Sequence, residues 1–279
     1  MKITQITTDT LPEADDILCS AFESNCSMMA DMARLLRIEP GGFIMGYYED
    51  RPAGTVGAVN YGTFAYLGMM AVTKHAQHRG IGRALLDEIL ARLDEQGVPV
   101  TILDATLAGR PLYQRAGFKV DDQVRQFVRW EETPLPELSP NVRSFSSGDL
   151  PAVVDFDETI FGARRKAVLR EFLLDFPERA FVFEEQGVIS GFLIAQEQKI
   201  GPWVSGDLPA AQALLEAALR LPFGDPPKVL IPTTNQAGSA MLVRYGFILQ
   251  STLDHMRRGG ATNPVQRQKV FGQASYALG

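Results

Sequence analysis

The chain has 279 residues, of which 46% are hydrophobic and 22% are charged. These fractions are typical of globular proteins, and the length suits two domains better than one, since single domains cluster around 100 to 150 residues. No apolar run approaches the roughly 18 to 20 residues of a membrane span, and the amino-terminal sequence has no apolar signal core. We therefore expect a soluble, cytoplasmic protein with two hydrophobic cores and no membrane partner.

The net charge of −6 is distributed unevenly along the chain. Residues 1–139 contain 13 Lys and Arg against 19 Asp and Glu, whereas the remaining residues contain 14 of each. A nucleic-acid surface needs a concentrated basic patch, so no nucleic-acid partner is expected, and the acidic first half suits a cationic or amine ligand. Cys19 and Cys26 are the only cysteines, which excludes a disulfide framework and a four-cysteine zinc site. No metal is predicted.

The first half predicts the element order ααβββαβαβ. A helix begins at Thr10, because its spacing to Glu13 is that of a capping box. The helix over 83–96 has the clearest apolar stripe, and residues 65–72 have the unalternating apolar pattern of a strand that is covered on both faces. The predicted helices lie at about 10–22, 27–38, 83–96 and 111–116, and the predicted strands at 42–48, 54–61, 65–72, 100–103, 118–120 and 125–130.

A proline-rich acidic stretch divides the chain. Residues 131–140 have no helical or strand period and contain Pro134, Pro136 and Pro140, a composition that favours an extended linker. We therefore predict a first domain over 1–133, a linker over 134–140, a second domain over 141–258 and a docked tail over 259–279.

The two halves have similar beginnings and ends. Each half opens with a Leu-Pro helix start, at Leu11-Pro12 and Leu150-Pro151, and closes with a Gly-Phe strand, at Gly117-Phe118 and Gly246-Phe247. A period of this length is too long for a solenoid, so it indicates a duplicated domain.

The loop between the 65–72 strand and the 83–96 helix carries the strongest functional signal. It places Lys74, Arg79 and Arg83 in an otherwise acidic domain, and Gly80 and Gly82 stand immediately before the helix. Glycine lets the backbone turn its N–H groups toward an anion, and the helix dipole adds positive potential. This arrangement favours a diphosphate ligand.

This loop has three other interpretations. A Walker loop needs Lys-Ser or Lys-Thr after its last glycine, and Arg83-Ala84 excludes it. A dinucleotide fingerprint needs Gly or Ala where Leu85 stands and a first glycine directly after the strand; Asp104 could nonetheless serve as its ribose ligand. A glycine turn without any ligand is the third alternative.

Two motifs resemble one family. Residues 77–82, Gln-His-Arg-Gly-Ile-Gly, fit the Gln/Arg-x-x-Gly-x-Gly/Ala signature of the GCN5-related N-acetyltransferases, and residues 112–118 resemble the later Leu-Tyr-Glu-Lys-x-Gly-Phe element. The resemblance covers about residues 1–130. It implies an α/β (α+β) fold in which two tandem domains each contain a mixed, largely antiparallel sheet flanked by helices.

The resemblance also implies where acetyl-CoA would bind, in a V-shaped gap between the 65–72 and 100–103 strands. The pantetheine arm would pair with the backbone of Met70, Ala71 and Val72, and the N–H group of Met70 would polarise the thioester carbonyl. The amine would attack the thioester directly in a ternary complex. The pyrophosphate would rest on the N–H groups of Gln77, His78, Arg79, Gly80, Ile81, Gly82 and Arg83.

Tyr113, in the second motif, is the predicted general acid. The departing thiolate, whose thiol has an ordinary pKa of about 8.5, leaves more readily when a nearby phenol donates a proton. The alternative is a buried tyrosine that packs beside Phe118. Thr106 stands where the family often has Asn and is expected to keep a polar contact to the cofactor. Asp104 is a candidate for gripping or deprotonating the amine, and a capping aspartate is the equal alternative.

The second half resembles a copy that has lost its chemistry. Residues 235–247 repeat the later motif, but Leu242 occupies the tyrosine position. The segment over 198–209 has neither paired glycines nor a basic cluster, and Asp207 is predicted to cap the following helix. The chain is thus similar to tandem members of the family that pair an active domain with an inactive one.

These patterns together predict an enzyme that transfers the acetyl group of acetyl-CoA to a primary amine of a small molecule or an amino terminus. A non-catalytic acyl-CoA sensor or interaction module is the alternative, and a larger acyl donor stays open. The sequence indicates neither the acceptor nor an oligomeric state.

Overall fold

The computed structural model describes residues 2–23, 27–260 and 262–279, so Cys26 lies outside the described residues. The chain divides into two compact units. The first is formed by Met1–Leu103, Ala108–Lys119 and Arg257–Gly260, and the second by Asp104–Leu107, Val120–Met256 and Ala261–Gly279. This division by compactness differs from the division by duplicated sequence, which stays a prediction with its linker at 134–140.

The first unit is a mixed sheet with helices. Its strands follow the order β1-β2-β3-β4-β5, and every neighbouring pair is antiparallel except β4 and β5, which are parallel. The elements are β1 (Lys2–Gln5), α1 (Leu11–Phe22), α2 (Met29–Ile38), β2 (Phe43–Tyr48), β3 (Arg51–Asn60), β4 (Ala65–Val72), α3 (Ile81–Glu95), β5 (Val100–Ala105, of which Asp104 and Ala105 belong to the second unit) and α4 (Arg110–Arg115).

The helix α3 packs on the sheet as its apolar stripe predicts. Leu85 lies against the strands where they carry Gly46 and Gly54, and a Cβ atom on Gly54 would come within 2.9 Å of the Leu85 side chain. Each fully buried leucine contributes about 1.5–3 kcal/mol relative to an exposed one, so this stripe anchors the helix firmly. The buried positions of the stripe are Leu85, Leu86, Ile89, Leu90 and Leu93.

The start of the chain departs from the sequence prediction in two ways. The strand β1 was not predicted, because it is short and lacks fully buried side chains. Thr10 does not cap α1 with its side chain. Its hydroxyl instead accepts a hydrogen bond from the backbone N–H of Thr7 at 2.9 Å, within a 3-10 turn that precedes the helix.

The second unit contains two runs of neighbouring strands, β12-β6-β11 and β13-β10-β9-β8-β7. Among the described residues, no helix is both long enough and apolar enough to cross a bilayer. The elements are β6 (Lys119–Arg129, of which Lys119 belongs to the first unit), β7 (Val142–Ser144), α5 (Leu150–Phe161), α6 (Lys166–Asp175), β8 (Ala180–Glu185), β9 (Val188–Ala195), β10 (Ile200–Ser205), α7 (Leu208–Ala218), β11 (Lys228–Pro232), α8 (Gln236–Arg244), β12 (Phe247–Gly259, of which Arg257–Gly259 belong to the first unit) and β13 (Val270–Gly272).

The strand β6 is continuous where the sequence predicted two strands with a break at residues 121–124, the first three of which are polar. Asp122 is the reason: its carboxylate accepts hydrogen bonds from Thr234 at 3.0 Å and from Arg267 at 2.7 Å. A polar strand residue with such partners is tolerated away from water, and no pattern within the strand reveals partners that lie more than 100 residues away.

A buried ion pair stabilises the second unit. Arg165 donates to both oxygens of Asp157 at 2.8 Å, and both side chains are 1% exposed. The guanidinium also lies 3.8 Å from the ring centroid of Phe161 and donates to the carbonyl of Gly279. The pair thus ties α5 to the end of the described chain.

We predict that Asp157→Ala destabilises the protein strongly, by about 3–5 kcal/mol, because it leaves a buried guanidinium without its counter-ion. The matched control is Asp155→Ala on the same helix, whose partner Arg164 is a surface residue. Urea unfolding followed by circular dichroism should show a large fall in midpoint for the first variant and almost none for the second. Equal midpoints would contradict the assignment.

Candidate active site

The strands β4 and β5 separate partway along their length. They pair in parallel only over Ala65–Leu67 and Thr101–Leu103. Beyond Leu67, β4 contains a bulge, because Thr55 pairs with Ala71 and Gly57 with Gly68, which leaves two residues of β4 opposite Val56. A bulge bends its strand and interrupts the ladder of hydrogen bonds.

Met69 and Met70 form this bulge. Met69 has φ +54°, which is unusual for a residue with a side chain. The hydroxyl of the buried Thr55 donates to the carbonyl of Met69 at 2.8 Å and fixes the conformation. The backbone of Met70, Ala71 and Val72, predicted to pair with a pantetheine arm, therefore follows directly after the point where the sheet opens.

The loop after β4 ends in the amino terminus of α3, which begins at Ile81 and not at the predicted residue 83, so Gly82 lies in the first turn of the helix. His78 and Gly80 have φ +61° and +80°, and the first helical hydrogen bond runs from the N–H of Ala84 to the carbonyl of Gly80. The N–H groups of Ile81, Gly82 and Arg83 thus have no partner within the helix. Such a helix start is a ready anion site because its dipole and its N–H groups act together.

The loop's cationic side chains have partners of their own. Arg79 donates to the hydroxyl of Tyr48 at 2.9 Å and stacks on its ring, and Arg83 pairs with Asp87 at 2.7 Å. Gln77 donates from its amide to the carbonyl of Val72 at 3.1 Å, which holds the loop against the end of β4. Main-chain N–H groups therefore form the part of this loop that is best prepared for an anion.

Tyr113 is a buried residue of α4, with 7% of its surface exposed. Its ring packs edge-on against Phe118, with the centroids 5.9 Å apart, so the packing that was weighed as the alternative to catalysis is present. Burial raises the pKa of the Tyr113 phenol well above its ordinary value, which keeps the hydroxyl protonated. Within the described ranges, that hydroxyl has no hydrogen-bond partner, and a protonated phenol in this state can serve as a proton donor.

Two residues of this region were missed by the sequence reasoning. Thr55 fixes the bulge and Tyr48 holds Arg79, but both lie in the hairpin, which offered no motif. Only the paired register of β3 with β4 reveals the first. A half-buried aromatic residue at the end of a strand is too common to have indicated the second.

Asp104 and Thr106, which belong to the second unit, have different surroundings. The side chain of Asp104 is fully buried, and its two oxygens accept from His255 at 2.8 Å and from Gln273 at 3.1 Å. Thr106 is exposed. Sequence reasoning missed His255, since a lone histidine in a strand carries no signal of its partner.

The buried His255 has polar neighbours at both ring nitrogens. Nε2 lies 3.0 Å from the amide nitrogen of Asn263, and Nδ1 lies 2.8 Å from Oδ1 of Asp104 and 3.2 Å from the guanidinium of Arg267. Burial, and then the charge of Arg267, lower the pKa of His255, although Asp104 opposes the shift. The imidazole is therefore neutral in the folded protein at neutral pH.

The comparisons with known proteins establish the class of this chain. A family model described as an acetyltransferase (GNAT) domain matches residues 11–134, and a second model of the same description matches residues 153–272. The chain belongs to the GNAT acetyltransferase family and contains two of its domains in tandem. The two-domain α/β fold expected from the motifs is thereby confirmed, and the chain is an acyltransferase.

Two relatives match most of the chain. Holothin acyltransferase of Pseudoalteromonas sp. (strain SANK 73390) is 26% identical over 257 residues, which are 90% of this chain and 86% of that protein. The N-acetyltransferase YitH of Bacillus subtilis (strain 168), described as uncharacterized, is 24% identical over 234 residues, which are 80% of each protein.

Solved structures support the fold alone, since their identities are low. A Pyrococcus horikoshii protein assigned as an acetyltransferase superposes with a TM-score of 0.88 at 22% identity and covers 100% of this chain and 95% of its own. A tandem GNAT protein from the clavulanic acid biosynthesis pathway superposes with a TM-score of 0.66 at 13% identity and covers 92% of this chain and 98% of its own.

We predict that the buried His255 makes the folded protein less stable as the pH falls below the ordinary histidine pKa of 6.5. The folded pKa is lower than the unfolded one, so the unfolded chain binds more protons between the two values and is favoured there. His255→Gln should flatten this part of the curve of unfolding free energy against pH, whatever its effect on the absolute stability. His75→Gln, in the exposed loop, is the control that should keep the wild-type slope. A wild-type slope in His255→Gln would contradict the prediction.

Proposed function

We propose that the first GNAT domain transfers the acetyl group of acetyl-CoA to a primary amine of a small molecule or an amino terminus. The observation that carries the proposal is the separation of β4 from β5 beyond Leu67 and Leu103, directly before a loop that ends in a glycine-rich helix start. An extended thioester-bearing arm fits an opening between strands, and a diphosphate fits a helix amino terminus.

The cofactor would be held mainly by backbone groups. We assign the pantetheine arm to Met70, which is the second residue of the bulge, and to Ala71 and Val72, which follow it. The diphosphate is assigned to the N–H groups of residues 77–83, because residues 77–80 lead into α3, residues 81–83 form its first turn, and the side chains of Arg79 and Arg83 add positive charge nearby. Thr106 is also proposed to contact the cofactor, and this proposal is supported only by the sequence resemblance.

The proposed chemistry is a direct acyl transfer. The amine nitrogen attacks the thioester carbonyl carbon while the N–H group of Met70 stabilises the developing oxyanion. As the C–S bond breaks, the phenol of Tyr113 gives its proton to the departing sulfur, and the new amide nitrogen loses a proton to solvent or a base. A phenol is protonated at neutral pH, since its ordinary pKa is about 10, so Tyr113 carries the proton that this step needs.

The structure limits how Asp104 could bind the amine substrate. Both oxygens of its carboxylate already accept hydrogen bonds, one from His255 and one from Gln273. An ammonium group that binds Asp104 directly must replace the Gln273 amide at Oδ2. The substrate role of Asp104 is proposed in this form.

Of the two acceptor classes named above, we propose the small molecule. One relative that matches 90% of the chain is named for acyl transfer to holothin, and the acidic first half favours a cationic or amine acceptor. We propose acetyl as the donor group. A non-catalytic acyl-CoA sensor would bind the cofactor without releasing its thiol, and the retained Tyr113 phenol favours the enzyme.

We predict that Tyr113→Phe lowers kcat by about 10²- to 10⁴-fold with little change in the KM for acetyl-CoA, because general acid catalysis is worth that much and the phenol contributes little to ground-state binding. The measurement is thiol release from acetyl-CoA over a panel of small primary amines. The control is Tyr47→Phe, which removes a hydroxyl that donates to Glu13 elsewhere in the same unit. A loss of less than about threefold in Tyr113→Phe would remove the general-acid assignment.

We predict that Gly82→Asp raises the KM for acetyl-CoA at least tenfold without lowering the melting temperature. A carboxylate in the first turn of α3 complements the helix dipole, so the fold is kept, yet it repels a diphosphate at the same N–H groups. A Cβ atom there meets Val72 and Leu112 only at ordinary contact distances of 3.4 and 3.7 Å. Gln96→Glu, at the opposite end of the helix, controls for added charge; equal KM values in the two variants would contradict the diphosphate assignment.

A further inference from the structure

A strand from the end of the chain lies between β10 and β11 in the second unit. These two strands run parallel where a single bridge joins Lys199 to Lys228. Beyond the bridge, β13 pairs antiparallel with β10, with Trp203 opposite Gly272 and Val204 opposite Val270. On its other side, the N–H group of Gln273 donates to the carbonyl of Leu230 in β11 at 2.8 Å.

This opening corresponds to the one between β4 and β5. In each unit a parallel pair of strands is joined over a short stretch and then parts, and a helix follows the first strand of the pair, α3 after β4 and α7 after β10. In the first unit the opening is the proposed place of the pantetheine arm. In the second unit, main chain already fills it.

Side chains of the second unit hold both ends of the inserted segment. The buried Gln196 donates from its amide to the carbonyl of Gly201 at 2.6 Å and to that of Ala274 at 2.9 Å. The buried Asn235 donates to the carbonyl of Val270 at 3.0 Å. The side-chain amides of both residues thus donate to backbone carbonyls of the inserted segment or of the strand next to it.

The fit between segment and opening is close. The rings of Trp203 and Phe271 lie with centroids 5.3 Å apart, and both side chains are buried. Gly201 has φ +148°, and a Cβ atom there would overlap the carbonyl oxygen of Gln273. A Cβ atom on Gly272 would come within 2.6 Å of the carbonyl oxygen of Ile200. Glycine at both positions allows the two backbones to meet.

The amino terminus of α7, which lies beside this opening, is capped by a carboxylate and is therefore unfavourable for anion binding. The carboxylate of Asp207 accepts from the N–H of Ala210 at 2.8 Å, as the sequence predicted for a capping residue. A carboxylate at the helix amino terminus occupies one of the N–H groups that would bind a diphosphate, and it repels the charge of a diphosphate. This observation is independent of the inserted strand.

We propose that residues 270–274 permanently occupy the cofactor opening of the second GNAT domain in place of a pantetheine arm, so that the chain binds a single acyl-CoA, in its first domain. The inference rests on the proposed function for the location of that cofactor. The second domain retains the architecture of an acyl-CoA site and fills it with its own backbone.

The first experiment is a titration of the full chain with CoA by isothermal calorimetry. One equivalent is expected for the wild type and none for Gly82→Asp at the same concentrations. Two equivalents in the wild type would overturn the inference, whereas one equivalent that Gly82→Asp binds with wild-type affinity would instead contradict the proposed diphosphate site. No binding to the wild type would instead refute the proposed function, and the next two experiments would then decide the inference.

The second experiment measures hydrogen–deuterium exchange of residues 270–274 with and without saturating CoA. Slow exchange that CoA leaves unchanged is expected, because the strand stays paired on both sides. Fast exchange in the free protein, or faster exchange when CoA is added, would show that the segment leaves the opening.

The third experiment locks the strand in place by Val204→Cys with Val270→Cys, in a chain whose Cys19 and Cys26 are serine. Directly opposed residues of an antiparallel pair have Cα atoms about 4.5 to 5.5 Å apart, within the range that a disulfide spans. The oxidised and reduced forms should bind CoA with the same stoichiometry and differ less than twofold in thiol release. A second equivalent in the reduced form alone would overturn permanent occupancy.

Discussion

The proposed chemistry depends on one structural constraint, the departure of β4 from β5 beyond Leu67 and Leu103. Backbone N–H and carbonyl groups that leave a sheet need other partners, and an extended ligand can supply them. The bulge at Met69 and Met70 produces the departure, and the hydroxyl of Thr55 keeps the carbonyl of Met69 satisfied despite its unusual φ. The strain of that residue is tolerated because a buried partner on β3 fixes it.

Electrostatics then favours the proposed anionic cofactor at this opening. The first half of the chain is acidic, yet the loop before α3 concentrates cations and presents the free N–H groups of a helix start. Since Arg79 and Arg83 already have partners in Tyr48 and Asp87, the main chain is the prepared component, and the side chains supply longer-range attraction. A backbone site of this kind tolerates much variation in side chains, which agrees with low identity among proteins of the same fold.

The two GNAT domains use the same architecture in different ways. Where the first presents paired glycines, a phenol and an open pair of parallel strands, the second has Asp207 at its helix start, the buried Leu242 in the tyrosine position and β13 between its strands. Each difference removes one requirement of the proposed reaction. An opening between parallel strands leaves backbone groups unpaired, so a domain that has lost its ligand is stabilised when its own chain pairs with them.

The sequence by itself determined the local elements and the family. The apolar stripe of α3, the boundaries of α1 and β4 and the glycine-rich helix start all follow from short-range patterns, because each depends on residues only a few positions apart. The tertiary structure alone decided which distant groups meet: Asp104 with His255, Asp122 with Arg267, and the strand β13 with β10. These contacts join residues that are far apart in the chain, and no periodic pattern records them, since their energy arises only when the fold has brought the partners together.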